Sequence, residues 1–244
     1  MTADEAAGQN LLGIVEMANG PLRYPGNLGN AATFDYPVVY AAAATAYTDR
    51  ILQRDPAVAD DYIRQGLALQ ERGINAMLTT CGFNVVYQQA IANGLDVPVA
   101  TSSLLLLPLV LRLIAADRSV GVITFDRQQL DPALLRIAGV SDADLSRLHI
   151  AGLDGTRTWH ELRKPQPDLP LAAIEADLLQ LLQGLIDAQP TLGAILFECS
   201  ALVPFGPQVR GAFGLPVFDF LSLADLLRNA AADLRPFRDD GRGG

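Results

Sequence analysis

The chain has 244 residues, half of them hydrophobic, enough to bury a sizeable core as one large domain or two small ones and to exclude overall disorder. A formal charge of -9 and a single lysine, Lys164, speak against a nucleic-acid surface or a polybasic membrane patch, so the expected partner is a small molecule. Asp4 and Glu5 stand where a secretory signal would be basic, which points to a cytoplasmic protein whose two cysteines are free thiols.

Short Val- and Ile-rich runs alternate with longer amphipathic stretches, the pattern of parallel strands joined by crossover helices. In chain order the predicted strands are residues 11–17, 74–80, 97–100, 120–125, 148–151, 192–197 and 216–218. Their continuous hydrophobicity suits strands covered on both faces. After the first strand, residues 19–36 read as a long loop containing Arg23, Asn27 and Asn30, and long loops in compact domains tend to carry function. Arg23 could pair with a substrate carboxylate and Asn19 could sit near the reacting carbon. The alternative is a solvated arginine and turn asparagines.

Asp55-Pro56 reads as a helix cap followed by proline at the first helical position, with Gly73 closing the segment; Asp131-Pro132 and Gly139 repeat the device. The apolar run 104–116 contains Pro108 and Arg112 and is too short to cross a bilayer, so it reads as a buried helix. Leu171, Ile174, Leu178, Leu182 and Leu185 recur at helical spacing on one face. Ser222 is expected to cap a last helix through Leu234, followed by a frayed tail.

An internal repeat organises these elements. One copy reads Ala76-Met77-Leu78-Thr79-Thr80-Cys81 and the other Ala194-Ile195-Leu196-Phe197-Glu198-Cys199. In each, a strand runs into the cysteine, a helix is expected next, and a Pro-Val strand begins seventeen residues after the cysteine, at Pro98 and Pro216. The expected fold is therefore α/β, with two parallel-sheet, flavodoxin-like halves related by a pseudo-twofold axis and the active site between them. The halves would be residues 1–102 and 103–217, with 218–244 forming a C-terminal helix that packs back on the first.

In open parallel sheets ligands gather outside the carboxyl ends of the strands, where both cysteines fall. A helix starting just after each would aim N–H groups at the sulfur and lower its pKa. Two thiols facing one ligand from opposite sides could remove a proton and return it, inverting a carbon centre. Such acid–base help is worth about 10² to 10⁴ in rate, so backbone N–H groups would have to stabilise the carbanion or enolate as well. The competing reading is packing, since free cysteine is among the most buried residue types. Thr101, Ser102 and Ser103 read first as helix caps and second as an anion site. Thr80 could tune Cys81 or simply pack. Glu198, Asp219 and Asp35 would raise the thiol pKa values and are left without a role. His149 and His160 show no metal spacing, and no dinucleotide, nucleophile-elbow or phosphate-loop motif occurs.

The chain resembles the aspartate/glutamate racemase superfamily over most of its length. The resemblance rests on residues 79–83 (Thr-Thr-Cys-Gly-Phe), 97–103, 198–200 (Glu-Cys-Ser) and 214–219. It implies a cofactor-independent enzyme, with no metal, that binds a small anionic or carbonyl-containing substrate between two α/β halves and uses Cys81 and Cys199 as acid and base. Ser200 stands where members often place a threonine on the substrate carboxylate, and Thr80, Gly82, Phe83, Thr101 and Ser102 complete the expected binding set with Asn19 and Arg23. Amino-acid racemases usually follow the first cysteine with Asn-Thr, whereas Gly82-Phe83 follows here, which argues against an ordinary α-amino acid. Retention of both cysteines argues against a decarboxylase of the superfamily. The expected activity is racemisation or epimerisation of an amino-acid, hydantoin or dicarboxylate type of substrate. The alternatives are a maleate-isomerase-like cis-trans isomerase with a nucleophilic cysteine and a non-catalytic two-lobed binding protein. No nucleic-acid or membrane partner is expected, and a homo-oligomer is compatible with the sequence.

Overall fold

A computed structural model of the chain describes residues 10–18, 23–164 and 167–232. Its framework is two four-stranded parallel sheets. The first holds β1 (Leu12–Met17), β2 (Val38–Ala43), β3 (Ala76–Thr79) and β4 (Val99–Ala100), in the order β2-β1-β3-β4. The second holds β5 (Ser119–Thr124), β6 (Leu148–Gly152), β7 (Leu192–Phe197) and β8 (Val217–Phe218), in the order β6-β5-β7-β8. The two orders coincide, so the fold is α/β with two pseudo-symmetric halves. All residues of β3 and β5 are buried, as their unbroken hydrophobicity required.

The element absent from the predicted strands is β2, an edge strand paired with β1 from Leu12 opposite Val38 to Met17 opposite Ala43. Its second half is three alanines, which have low strand preference. Pairing with β1 and packing under the helix Pro56–Gln70 hold it in place. That helix starts as expected: the Asp55 carboxylate accepts from the Ala57 N–H, Pro56 opens the first turn, and Gly73 leaves it with φ 85°. Asp131 caps Pro132–Ile137 in the same way, and Gly139 follows at φ 91°. The run at 104–116 is not one buried helix. It is a 3₁₀ turn (Ser103–Leu106) and a short α-helix (Leu107–Leu113) in which Leu109 and Leu113 are exposed. Pro108, with no N–H to donate and a fixed φ, suits the first turn of a helix and not its middle.

The last helix spans Phe220–Ala230, and its cap is Asp219, not Ser222. The Asp219 carboxylate accepts from the N–H groups of Leu221 and Ser222, while the Ser222 hydroxyl answers the Asp219 N–H across a capping box. Asn10 Nδ2 donates to the Arg228 carbonyl, and the Tyr36 hydroxyl donates to Asp225, tying this helix to residues of the first half. Leu234 and the tail lie outside the described residues. Asp219→Ala is expected to remove about 1–2 kcal/mol of stability, read as a lower urea midpoint at unchanged m-value.

One apolar core runs through both sheets, with Leu78 and Leu104 in the same cluster as Val122 and Leu196. Hydrogen bonds also cross between the halves: Ser103 Oγ donates to the Phe197 carbonyl at 2.7 Å and Ser200 Oγ to the Thr80 carbonyl at 2.7 Å. The carboxyl ends of β3 and β7 are thus fixed against one another. Among the described residues no helix is long and apolar enough to cross a membrane.

Candidate active site

Each cysteine leaves the carboxyl end of a central strand and enters a 3₁₀ turn. Cys81 precedes Gly82–Tyr87, followed by the helix Gln88–Asn93; Cys199 precedes Ser200–Phe205, followed by Gly206–Phe213. The α-helices expected directly after the cysteines therefore begin six residues later. Gly82, Asn84 and the Val85-Val86 pair are weak α-formers in the first turn, and Pro204 interrupts the second. The tight turns close on backbone bonds, Asn84 N–H to the Cys81 carbonyl and Leu202 N–H to the Cys199 carbonyl, both at 3.1 Å, and the N–H groups of Phe83 and Asn84 at Cys81 and of Ala201 and Leu202 at Cys199 act to lower the thiol pKa values. Both thiols are free, and both line one cavity of about 140 Å³.

The thiols are nevertheless not activated in the way the sequence suggested. Burial and then the Glu198 carboxylate push Cys81 up to about 12, overriding the backbone N–H groups. Cys199 is raised by the same two causes in the same order. The nearby backbone N–H groups do not offset removal from water beside a negative charge. Glu198 is itself buried at the end of β7, its carboxyl pushed up to about 7 by burial against the Thr124 hydroxyl, 2.8 Å from Oε2, and the Phe125 N–H. Replacing that charge by Glu198→Gln is expected to lower both thiol pKa values and so accelerate alkylation by iodoacetamide several-fold at fixed alkaline pH. An unchanged rate would show that the thiols do not feel the carboxylate.

Glu198 also explains the Gly82-Phe83 departure. A Cβ on Gly82 would collide with Glu198 Oε1 and the Glu198 carbonyl oxygen, and would lie 2.5 Å from its Cδ. The second half thus fills the space that a side chain after the first cysteine would need. The repeat places Thr80 where the second copy has Glu198, so the two sides of the cavity carry different charge.

Of the other expected site residues, Thr80, Gly82, Phe83 and Ser200 line the cavity. Ser200 spends its hydroxyl on the Thr80 carbonyl, and Thr80 Oγ1 accepts from the Met17 N–H. Arg23 does not line it: its guanidinium makes a two-pronged ion pair with Glu16, at 3.0 and 3.1 Å, and also donates to the Gly29 carbonyl. Thr101 and Ser102 are buried away from the cavity lining. Thr101 donates to Gln88 through both N–H and hydroxyl, and Ser102 caps the turn at Leu104, the structural role read first from the sequence. Asn19 lies outside the described residues. The cavity also gathers Phe125, Asn27 and Lys164, which sequence reasoning did not assign. Lys164, the one lysine in the chain, stood out only by rarity.

Beneath Cys81 lies a buried polar chain. Asn84 Nδ2 donates to the Tyr62 hydroxyl at 2.8 Å and to Thr79 Oγ1 at 2.9 Å, and Thr79 donates to the Thr101 carbonyl. This fixes Asn84, whose own N–H donates to the Cys81 carbonyl at 3.1 Å. At the equivalent place beside Cys199 stands Leu202, which has no such side-chain network. Among the described residues, no group of three His, Cys, Asp or Glu side chains is placed to hold a metal ion.

No family model matches the chain. It is similar to a dimethylsulfoniopropionate lyase of Durusdinium sp. clade D, 28% identical over 241 residues that cover 96% of this chain and 77% of that protein. It is also similar to dimethylsulfoniopropionate lyase 5 of Emiliania huxleyi, 30% identical over 183 residues, 68% of this chain but only 35% of that one. Among solved structures, a mutant of arylmalonate decarboxylase superposes with a TM-score of 0.61 at 18% identity, covering 91% of this chain and 93% of that one. Allantoin racemase from Klebsiella pneumoniae gives 0.56 at 15% identity, covering 90% and 86%, and a glutamate racemase isoform from Bacillus anthracis gives 0.56 at 11%, covering 92% and 84%. At these identities the likeness is one of fold.

Proposed function

We propose that the chain is a cofactor-independent lyase in which one thiol of the Cys81/Cys199 pair removes a proton from the carbon next to a carboxylate and a group on the adjacent carbon departs. The observation that carries this reading is the cavity itself: one thiol from each half, each at the start of a tight turn, lines a single shared space. The sequence relatives named as dimethylsulfoniopropionate lyases support a β-elimination over a racemisation. With that substrate, the C2–H bond breaks toward sulfur, its electron pair forms the C2–C3 double bond, and the C3–S bond breaks toward the leaving group. Dimethyl sulfide, acrylate and one proton result, and no oxidant or cofactor enters the balance.

The unequal walls of the cavity fit this reaction better than they fit racemisation. A racemase treats mirror-image substrates nearly alike, whereas here one wall carries Glu198 and the other Thr80. Burial first and the Glu198 carboxylate second hold the thiols neutral, so a cation brought beside Glu198 would remove the second of these causes and favour thiolate on binding. The developing enolate needs donors, and Lys164 with the backbone N–H groups of the cavity-lining Phe83 and Ala201 are the candidates.

Racemisation remains the second reading, favoured by one observation, the equivalent positions of the two cysteines in the two sheets. The test is to incubate the protein with dimethylsulfoniopropionate and measure dimethyl sulfide in the headspace against acrylate in solution. Equal release supports elimination. No release, together with loss of the α-hydrogen signal from amino acids or hydantoins in D₂O, would instead support racemisation.

A further inference from the structure

Among the described residues that line the cavity, Glu198 is the one acidic side chain and Lys164 the one basic side chain. They differ in depth. Glu198 is 1% exposed, whereas the Lys164 side chain is 56% exposed, at the outer side and paired with Glu161. A ligand entering this cavity meets a positive charge near solvent and a negative one inside.

Only one edge of the inner carboxylate is used by the protein. Oε2 takes the Thr124 hydroxyl and the Phe125 N–H, while Oε1 takes no hydrogen bond from any described residue. Oε1 instead rests in the space left by the missing side chain of Gly82. Phe83 and Phe125 line the same cavity. One free carboxylate oxygen is a poor match for a primary ammonium, whose three N–H groups each need an acceptor. It is a good partner for a methylated onium group, which donates no hydrogen bond and is held by charge and by ring faces.

We propose that Glu198 is a specificity-determining residue that selects substrates whose leaving group is a methylated cation, with the substrate carboxylate directed outward toward Lys164. This rests on the elimination reading above and deepens it by assigning the charge preference to one residue. It also accounts for the cost of burying an acid beside two thiols, since the group it repels in the empty site is the thiolate and the group it attracts is the substrate. An anionic dicarboxylate would place a second negative charge against Glu198.

The test separates this proposal from the reaction. The probes are 3-(trimethylammonio)propionate and 4,4-dimethylpentanoate, which have the same shape and differ only in the charge of the central atom. Their dissociation constants are measured by calorimetry with the wild type and with Glu198→Gln, whose folding is checked by circular dichroism. The wild type is expected to prefer the onium compound by on the order of 10- to 100-fold. Glu198→Gln is expected to bring the two constants within a few-fold of each other by weakening the onium compound alone. Preference surviving in Glu198→Gln, or no preference in the wild type, overturns the proposal. A wild type that prefers the onium compound through Glu198 yet releases no dimethyl sulfide would retain this assignment and reject the elimination reading. Elimination with a Glu198-independent preference would do the reverse.

Discussion

Cys81→Ser and Cys199→Ser are each expected to fold, and the one that removes the base is expected to lose about 10²- to 10⁴-fold in kcat/KM for elimination. Serine keeps the approximate size of the side chain and leaves untouched the backbone bonds that close the turns, Asn84 N–H to the residue 81 carbonyl and Leu202 N–H to the residue 199 carbonyl, so Gly82–Tyr87 and Ser200–Phe205 retain their shape. What it removes is a thiol that can ionise in the site and whose thiolate can then take a proton from carbon. The two variants should differ from each other, because Cys81 sits above the Asn84–Tyr62–Thr79 chain and Cys199 has no counterpart to it. A racemase would give a different result, with each variant retaining exchange from one enantiomer. Steady-state kinetics of the two variants beside the wild type read this directly. Equal, small losses in both would show that neither thiol touches the reacting atoms.

Gly82→Ala is expected to be the most damaging single methyl addition in the site. The new Cβ would overlap Glu198 Oε1 and the Glu198 carbonyl oxygen, and the second of these belongs to the backbone of β7's exit and cannot rotate away. Overpacking of this kind costs about 1–3 kcal/mol where side chains can yield, and more where backbone must move. The expected result is a loss of about 2–4 kcal/mol in a urea titration, with the cavity distorted and activity lost. Pairing it with Glu198→Gln is not expected to restore stability, since the carbonyl conflict remains. A Gly82→Ala protein as stable as the wild type would show that the two halves approach less closely at this point.

Much of this fold was legible because hydrophobic continuity and capping are local signals. Seven of the eight strands lie in runs of Val, Ile and Leu, and Asp55, Gly73, Asp131 and Gly139 mark helix ends by residue type alone. The strand β2 was not legible, since three of its residues are alanine and only pairing with β1 makes it a strand. The repeat around the cysteines announced both the two matching sheets and the two thiols that meet in one cavity. The electrostatics did not follow from it. A helix start after each cysteine suggested lowered thiol pKa values, but the outcome was decided by burial and by a carboxylate adjacent to one cysteine in sequence and shared by both in space. Glu198 had a visible signal, an acid closing an otherwise apolar run where the first copy has Thr80, although its contact with Gly82 across the halves could not be seen from sequence. Arg23, in the long loop after the first strand, is paired with Glu16, a partner the loop sequence alone did not indicate.

The central claim is that a thiol takes the proton next to a carboxylate and that the neighbouring group then leaves. It is tested most directly by proton NMR in D₂O of dimethylsulfoniopropionate with the wild type and with the double variant Cys81→Ser/Cys199→Ser. The predicted result is acrylate vinyl signals growing in step with free dimethyl sulfide in the wild type and absent in the folded double variant. Acrylate formed at the wild-type rate without either thiol would contradict the account.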